Sequence, residues 1–445
     1  MKNPIAQWLF NKPRQAQGDV VAALDVGSSK IACFIARESG AGQPPRVIGI
    51  GHQVSDGMRH GSITNMDALQ QAISAAVGAA EQMAGEHIER VTVNIAGSHV
   101  FSQTVNIELP LNGREVAEGD LQRVITQSQS LAAEESQGQA LELIHTLPVH
   151  YAIDSQKGIR DPVGMTGSML HTQLHLVSAD FGPARTLVAA IARCHLEVEQ
   201  IVAAPYASGL ACLVEDEMDL GCLMIDMGAG TTNLGIFFDG NIVYAGGIAV
   251  GGGHVTNDIA RGLTTSLVHA ERLKTLYGNA IPSSMDEREI IDVPLIGEEA
   301  PENANHLPKS HLIRIIQPRL EEIFELVRAR LDKSGLAEAA GRRVVLTGGA
   351  SQMPGVRELA QRILDKHVRL GRPLRVARSA SASSKSGSAS FSGLAEATSG
   401  PAFSTTAGLL AVAMQPELAA SGGLSDFVGA GNKISRMSQW FKNNL

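Results

Sequence analysis

Apolar and polar positions follow the same order in two parts of the chain. The apolar runs VVAALDV (20–26), KIACFIAR (30–37) and RVIGIGHQV (46–54) are separated by short polar or glycine-bearing stretches. From residue 221 the stretch GCLMIDMGAGTTNLGIFFDGNIVYAGGIAV repeats that order. Short apolar runs bounded by Gly, Asp and Ser are typical of β-strands. Each part therefore predicts a three-stranded antiparallel meander.

Both meanders are followed by a stretch with helical periodicity, at 66–85 and 253–263. A further strand and helix signal then closes each part, within 184–213 and within 342–364. Two parts that repeat one order of elements indicate an internal duplication. We predict an α/β fold made of two similar halves with a cleft between them.

The first hairpin of each half has side chains suited to a phosphate and its metal ion. Asp25 and Asp226 end the first strand of their halves, and Mg²⁺ prefers such oxygen ligands while keeping several waters. Glycine-rich tips expose backbone N–H groups that bind anions. The remaining candidates at the tips are Gly27, Ser28, Ser29 and Lys30 in the first half, and Gly228, Gly230, Thr231 and Thr232 in the second. One such tip alone reads as an ordinary turn, but the duplication favours a site that holds a triphosphate and a hydrated magnesium ion.

A third glycine site lies in VVLTGGASQMPGV (344–356), where a strand turns into a helix. Gly348 and Gly349 allow a flat ligand such as an adenine ring and its ribose to approach the backbone. Taken alone, this stretch is better explained as a tight turn.

Composition argues against several classes of function and location for this protein. The 445 residues have a net charge of −8, which argues against nucleic-acid binding. The four cysteines form no C-x-x-C pair, so we expect buried, reduced thiols and a reducing cytoplasm. No apolar run approaches the ~18 residues of a spanning helix, and the N-terminal stretch does not fit a secretory signal.

Together these motifs resemble the superfamily of actin, hexokinase and heat-shock-chaperone ATPases. LDVGSSK and IDMGAGTTN resemble its two phosphate motifs, and LTGGAS resembles its adenosine motif, which adds Asn233 and Ser351 to the candidates. Stretches near 200–212 and 404–413 resemble its two connecting helices. The resemblance implies ATP with Mg²⁺ as the ligand of the cleft.

A closer resemblance is to the FtsA family of bacterial cell-division proteins. It rests on SITNMDALQQAI, GGGHVTNDIARGL, HAERLKTLYG and a short basic amphipathic tail, and it covers roughly residues 19–420 plus that tail. The resemblance places Gly252, Glu271 and Lys274 in the nucleoside pocket. A surface ion pair between Glu271 and Lys274, one helical turn apart, is the alternative.

The family also implies a division of the chain into subdomains. The core halves are expected at 19–100 with 178–213, and at 214–262 with 341–414. Inserted subdomains are expected at 101–177 and at 263–340. A Ser-rich loop at 379–400, where 9 of 22 residues are Ser, a tether at 415–431 and an amphipathic helix at 432–445 complete the prediction.

The second insert contains LIRIIQPRLEEIFELVRARL (312–331), which has helical periodicity. In FtsA-like proteins this subdomain receives the acidic C-terminal tail of the tubulin-like protein FtsZ. Arg314 and Arg319 are the candidates for that contact, and a solvated helix face is the alternative.

The resemblance weakens at the residue that positions attacking water. Bacterial actins carry Glu in an E-P-x-A-A motif, whereas this chain has Ala204 before Pro205. Gln200, one helical turn earlier, is the candidate substitute. We therefore expect ATP to act mainly as a conformational ligand with slow turnover at most.

His171 and His175, four residues apart, suggest a metal pair only if they lie on a helix. A strand fits the surrounding MLHTQLHLVSA better, and the sequence places no acidic ligand beside them. We therefore expect no metal there.

The last residues, NKISRMSQWFKNNL, fit a helix that lies in a membrane surface. Ile434, Met437, Phe441 and Leu445 fall within an arc of about 80° at roughly 100° per residue, and Trp440 flanks them. Lys433, Arg436 and Lys442 lie off this stripe and suit anionic lipids. A helix docked on its own protein, or a disordered end, is the alternative.

The combined hypothesis is an ATP-binding actin-like protein on the cytoplasmic face of the inner membrane at the division septum. It would anchor FtsZ filaments, self-associate into filaments and recruit later division proteins. The alternatives are a small-molecule kinase of the same fold and another actin-like scaffold.

Overall fold

The computed structural model describes residues 20–37, 45–135, 140–297, 304–373, 398–415 and 418. Several predicted segments lie outside the described residues. They are residues 374–377, most of the predicted Ser-rich loop (379–400), most of the predicted tether (415–431) and the whole predicted C-terminal helix (432–445). All eight candidate membrane residues therefore lie outside the described residues as well.

The first half begins with the predicted meander and its helix. Helix α1 starts at its N-cap Asn65, whose side chain accepts bonds from two backbone N–H groups, and it ends at Gly85 in the left-handed region. The elements are β1 (Val20–Val26), β2 (Lys30–Arg37), β3 (Arg46–Val54), β4 (Met58–Arg59), β5 (Ser62–Ile63), α1 (Met66–Ala84) and β6 (Arg90–Ile95).

An inserted subdomain follows, and the chain then returns to the first half. The insert has its own apolar core and one sheet in the order β7-β10-β8-β9. Its elements are β7 (Val100–Pro110), α2 (Glu118–Glu135), β8 (Leu141–Ile153), β9 (Gln156–Ile159) and β10 (Met169–Asp180). The returning elements are α3 (Phe181–Ala192), β11 (Glu197–Ala203) and α4 (Ala204–Cys212).

The second half repeats the first with its insert at a different point. Its core elements are α5 (Glu215–Leu220), β12 (Cys222–Met227), β13 (Thr232–Phe238), β14 (Asn241–Ile248) and α6 (Gly252–Gly262). The second insert contains α7 (Leu267–Tyr277), β15 (Ile290–Val293), β16 (Asn305–Pro308) and α8 (Lys309–Ser334). The core resumes with β17 (Arg343–Thr347), α9 (Val356–Leu364), β18 (His367–Leu370) and α10 (Ser404–Met414).

The two core sheets have the same order and strand directions, which confirms the duplicated α/β fold. One sheet runs β3-β2-β1-β6-β11 and the other β14-β13-β12-β17-β18. In each, an antiparallel meander is extended by two parallel strands. The sequence pattern predicted four strands per half; a fifth completes each sheet. The shared strand order shows that the first-half equivalent of β17 is β6, and not the later strand β11.

The helix expected from residue 200 begins only at Ala204. Residues 197–203 instead form β11, which pairs in parallel with β6. The apolar run before Pro205 suits a buried strand as well as a helix, and pairing with β6 decides between them.

Helices α4 and α10 cross at the junction of the two halves and are buried along their whole length. At the crossing, a Cβ atom added to Gly408 would lie 1.8 Å from the carbonyl oxygen of Ala207. Only a residue without a side chain permits this approach. Among the described residues, no helix combines the length and apolarity required to span a bilayer.

We expect Gly408→Ala to lower the melting temperature of the chain, because the new methyl group overlaps backbone and costs about 1–3 kcal/mol. Gly78→Ala is the matched control, since this helical glycine in α1 is exposed and has open space around it. The control is expected to stabilise by about 0.5–1 kcal/mol. Thermal unfolding followed by circular dichroism measures both. Equal shifts in the two variants would contradict the close crossing.

The strand interpretation of residues 169–180 is confirmed by β10, and His171 and His175 share one face of it. His175 is completely buried, and burial, aided by neighbouring His145, lowers its pKa to about 3. His171 is partly exposed, with Nδ1 3.3 Å from a carboxylate oxygen of Glu108 on β7. The sequence had suggested no acidic neighbour there; strand pairing supplies one.

His175 is expected to make the fold sensitive to acid. An unfolded histidine has a pKa of about 6.5, so below that pH the unfolded chain binds a proton that the folded chain does not. Stability therefore falls as the pH decreases from about 6.5 towards 3, by about 2 kcal/mol at pH 5. His175→Leu should reduce the difference in melting temperature between pH 7 and pH 5. His171→Leu, on the same strand face, should retain the wild-type difference.

Candidate functional site

The two predicted tips form equivalent turns at the centre of the cleft. The backbone N–H of Gly27 donates to the carbonyl of Lys30 at 3.0 Å, and Gly228 N–H donates to Thr231 O at 2.9 Å. The register places Asp25 opposite Ala32 and Asp226 opposite Asn233. The duplicated sequence pattern therefore corresponds to duplicated geometry.

The tips face each other across the cleft and are in contact. A Cβ atom on Gly230 would lie 2.3 Å from the Ser28 hydroxyl oxygen. Asn233 accepts a bond of 2.7 Å from the N–H of Gly97 in the first half. The methyl group of Thr231 lies close to that same glycine. The second tip is thus held against the first half by a hydrogen bond and by close packing.

Asp25 and Asp226 are both buried, and each carboxylate accepts two side-chain hydrogen bonds. Asp25 accepts from Asn94 Nδ2 at 2.9 Å and from Thr406 Oγ1 at 3.1 Å. Asp226 accepts from Ser208 Oγ at 2.7 Å and from Thr405 Oγ1 at 2.9 Å. Because Ser208 lies on α4 and the two threonines on α10, the crossing helices hold both carboxylates.

The electrostatics of this pair favour a cation. Burial raises the pKa of both carboxyls, and the charge of Asp226 raises that of Asp25 further, while Lys30 opposes the shift at each. Burial lowers the pKa of Lys30, whose ammonium lies 3.6 Å from the ring centroid of Phe403. Two carboxylates with one ammonium leave an excess negative charge, and the oxygen donors fit a hydrated Mg²⁺ ion.

Helix α7 lines the cleft through Glu271, Lys274 and Thr275. Lys274 Nζ donates to Glu271 Oε2 at 2.6 Å, to Thr256 Oγ1 at 2.8 Å and to Gly252 O at 3.2 Å. Glu271 and Lys274 are therefore an ion pair, as in the alternative interpretation, and they also line the cleft. Gly348 also lines the cleft, and its φ of +87° is one that a residue with a side chain rarely adopts.

A cavity of about 730 Å³ brings most of the predicted residues together. Its lining includes Asp25, Gly27, Ser28, Ser29, Lys30, Asp226, Gly228, Gly230, Thr231, Asn233, Gly252, Glu271, Lys274, Gly348 and Gly349. Two candidates are not part of the lining. Thr232 is buried and donates to Val250 O at 2.8 Å, and Ser351 donates to Gly348 O at 2.7 Å. Their hydroxyls stabilise the turns instead.

Gln200 does not lie one helical turn before Ala204, because residues 197–203 are extended. It is buried in β11 and is not among the residues that line the cavity, whereas Ala204 is. The methyl group of Ala204 has no polar atom with which to orient water.

Both candidate partner arginines lie on α8 and form ion pairs within the chain. Arg314 contacts Glu287 at 2.7 Å, with 68% of its side chain exposed. Arg319 binds Asp258 at 2.5 Å and also pairs with Glu322, with 27% exposed. Arg314 is therefore the more accessible of the two.

Sequence reasoning missed the residues that orient the carboxylates, namely Asn94, Ser208, Thr405 and Thr406. They come from one strand and two helices far apart in the chain, and serine or threonine in an apolar helix carries no signal of its own. The duplication of the aspartates was the only available indication.

Comparisons with known proteins agree with this architecture. The profile of the family described as "Cell division protein FtsA" matches residues 223–408, and that of the "SHS2 domain inserted in FTSA" matches residues 97–178. Cell division protein FtsA of Rhizobium meliloti is 42% identical over 96% of this chain and 95% of its own length. FtsA of Pseudomonas aeruginosa is 34% identical over 96% and 99%. A chain of the PilM-PilN type IV pilus biogenesis complex is similar in fold, with a TM-score of 0.61 and 17% identity over 89% of this chain and 98% of its own.

The fold and the cleft define an actin-like protein with a duplicated core and an inserted SHS2 subdomain. Within this class, the chain belongs to the FtsA family of cell-division proteins.

We expect Asp226→Asn to raise the melting temperature of the ligand-free chain. Burial raises the pKa of Asp226 in the folded state, so the ionised carboxylate destabilises the fold and a neutral isostere should stabilise it. Asp292→Asn is the control, because that carboxylate is 73% exposed and should have little effect. A lower melting temperature for Asp226→Asn would show that the carboxylate charge is needed for folding.

Proposed function

We propose that this protein is an ATP-binding, actin-like anchor for the cell-division apparatus. The observation that carries the proposal is the contact between two equivalent glycine-rich tips, each beside a buried aspartate. Family membership supports a role in cell division, and the cleft geometry supports a nucleotide as its ligand.

The cleft offers a group for each part of Mg-ATP. Backbone N–H groups at 27–30 and 228–231, with the ammonium of Lys30, would bind the phosphates. Asp25 and Asp226 would hold Mg²⁺ through its waters. Glu271, Lys274 and the glycines at 348–349 would contact the nucleoside. Bound Mg²⁺ supplies positive charge that offsets the buried carboxylates and the phosphates.

Calorimetry with Mg-ATP tests nucleotide binding directly. Gly230→Ala should weaken binding at least tenfold, because the methyl group overlaps the Ser28 side chain and forces the tips apart. Gly119→Ala, in open space on the inserted subdomain, should bind as the wild type does. If the wild-type chain takes up no adenine nucleotide, the proposed ligand is wrong.

ATP would act as a conformational ligand rather than as fuel for rapid turnover. By the resemblance to bacterial actins, Ala204 occupies the position of their water-orienting glutamate, and Gln200 lies outside the cavity lining. ATP contacts both halves in this scheme, so it would stabilise the arrangement of halves that self-associates into filaments.

The C-terminal residues 432–445 would bind the cytoplasmic face of the inner membrane at the septum. Each buried apolar side chain contributes at most ~1.5–3 kcal/mol, so a single tail would bind anionic lipid reversibly. A filament that presents many tails would bind far more tightly through effective concentration. The FtsZ tail would dock on the second insert, where Arg314 offers an exposed guanidinium.

Co-sedimentation with vesicles containing anionic lipid tests the membrane anchor. Phe441→Asp places a charge in the apolar stripe and should abolish sedimentation. Asn443→Asp changes the net charge equally, at a position opposite the stripe in the predicted helix, and should retain most of the sedimentation. Equal loss in both variants would mean that charge alone, not an apolar face, governs binding. Recruitment of purified FtsZ to these vesicles, reduced by Arg314→Glu, tests the partner.

A further inference from the structure

Three side chains beside the cleft form a chain of hydrogen bonds that the proposed function does not use. Ser62 Oγ lies 2.8 Å from His99 Nε2, and His99 Nδ1 lies 2.9 Å from a carboxylate oxygen of Asp180. The order hydroxyl, imidazole, carboxylate is the arrangement that activates a serine hydroxyl as a nucleophile.

The carboxylate determines the direction of these bonds. An ionised Asp180 can only accept, so the neutral imidazole carries its proton on Nδ1. His99 Nε2 is then an acceptor, and the Ser62 hydroxyl donates to it. This is the protonation pattern in which histidine can remove the hydroxyl proton.

Local structure holds each member in place. His60 and Gly61 both have positive φ, at 52° and 82°, and form the two-residue turn between β4 and β5 that presents Ser62. Asp180 is the N-cap residue of α3, but its side chain makes no capping bond. The carboxylate is directed to His99 instead, at the cost of a bond that aspartate commonly makes at this position.

Ser62 belongs to the wall of the same 730 Å³ cavity as the two tips. Its neighbour Gly61 donates its N–H to Ser28 Oγ at 3.2 Å and lies close to the methyl group of Thr231. The Ser62 hydroxyl is therefore one residue from the point where the two tips meet. That is where the terminal phosphate of a bound nucleotide is expected.

We propose that Ser62 is a modification site that accepts a phosphoryl group in the cleft, with His99 as its general base and Asp180 as the positioning residue. The Ser62 Oγ–P bond forms as the bond from phosphorus to the leaving group breaks, and the hydroxyl proton passes to His99 Nε2. With ATP as donor, the leaving group is ADP. The identity of this donor rests on the proposed function, whereas the reactivity of Ser62 does not.

The modification would connect the cleft to the inserted subdomain. His99 and Asp180 lie at the entry to and the exit from that subdomain, before β7 and at the end of β10. A phosphoserine adds about −1.5 to −2 charges near neutral pH. At residue 62 this charge would lie beside both the tip contact and the two connections of the insert.

A fluorophosphonate probe tests the nucleophile without any nucleotide. In the labelling reaction the P–F bond breaks, the Oγ–P bond forms and fluoride leaves. We expect the full-length chain to be labelled once, at Ser62, with the site identified by peptide mass spectrometry. A general base accelerates the attack only in its unprotonated form, so the labelling rate should fall as the pH is lowered.

Three variants and a control separate activation from structural support. Ser62→Ala should abolish labelling. His99→Gln can still bond to Ser62 but cannot take its proton, and Asp180→Asn alters the imidazole tautomer; both should slow labelling at least tenfold and flatten its pH dependence. Ser130→Ala removes a hydroxyl of α2 that bonds to Thr126 O at 3.2 Å, away from the cavity, and should label as the wild type does.

A second arm identifies the donor. The chain is incubated with Mg-ATP, and intact mass spectrometry measures the gain of one phosphoryl group, while calorimetry measures binding on the same sample. Binding with transfer to Ser62 supports both proposals. Labelling by the probe without ATP binding would sink the proposed ligand but not the reactive serine.

Two outcomes overturn the inference. The first is a wild-type chain that the probe leaves unlabelled, or labels equally in His99→Gln. The second is ATP binding without a phosphoryl group on Ser62, which would rule out phosphoryl transfer in the cleft. The first result would mean that the three residues only brace the junction.

Discussion

The arrangement of this protein depends on two buried carboxylates held by the helices that join its halves. Asp25 and Asp226 come from equivalent strand ends, and their hydroxyl partners come from α4 and α10. Those helices approach so closely that a glycine is required at their crossing. A change in the charge or ligation of the aspartates is therefore transmitted directly to the junction between the halves.

This arrangement costs stability in the ligand-free chain. Both carboxyls have a raised pKa, and the ammonium that partly compensates them is itself desolvated. Ionisable groups whose pKa values are shifted by burial are typical of sites that bind a charged ligand, because the ligand supplies the opposite charge. A cation bound with a polyphosphate would neutralise the buried carboxylates and would contact both halves at once.

The inserted subdomain is joined to this centre by polar contacts as well as by its two connections. Gly97, at its entry, bonds to Asn233 of the second tip, and His99 bonds to Asp180 at its exit. Further inside, His145 of β8 accepts from the N–H of Ala203, the last residue before α4. The insert thus contacts the second half through Gly97 and the start of α4 through His145.

Sequence alone determined the duplicated halves, the meanders and the two facing tips. These features follow from local patterns, because strand periodicity and glycine-rich turns are properties of consecutive residues. The same reasoning identified Asp25 and Asp226, since each ends an apolar strand.

Tertiary structure decided what depends on contacts between distant segments. Pairing with β6 made residues 197–203 a strand and removed Gln200 from the position predicted for it. The partners of the aspartates, and the chain from Ser62 to Asp180, combine residues that no periodicity links. Their roles arise only when separate strands and helices meet, because a hydrogen bond depends on distance in space and not on spacing in the chain.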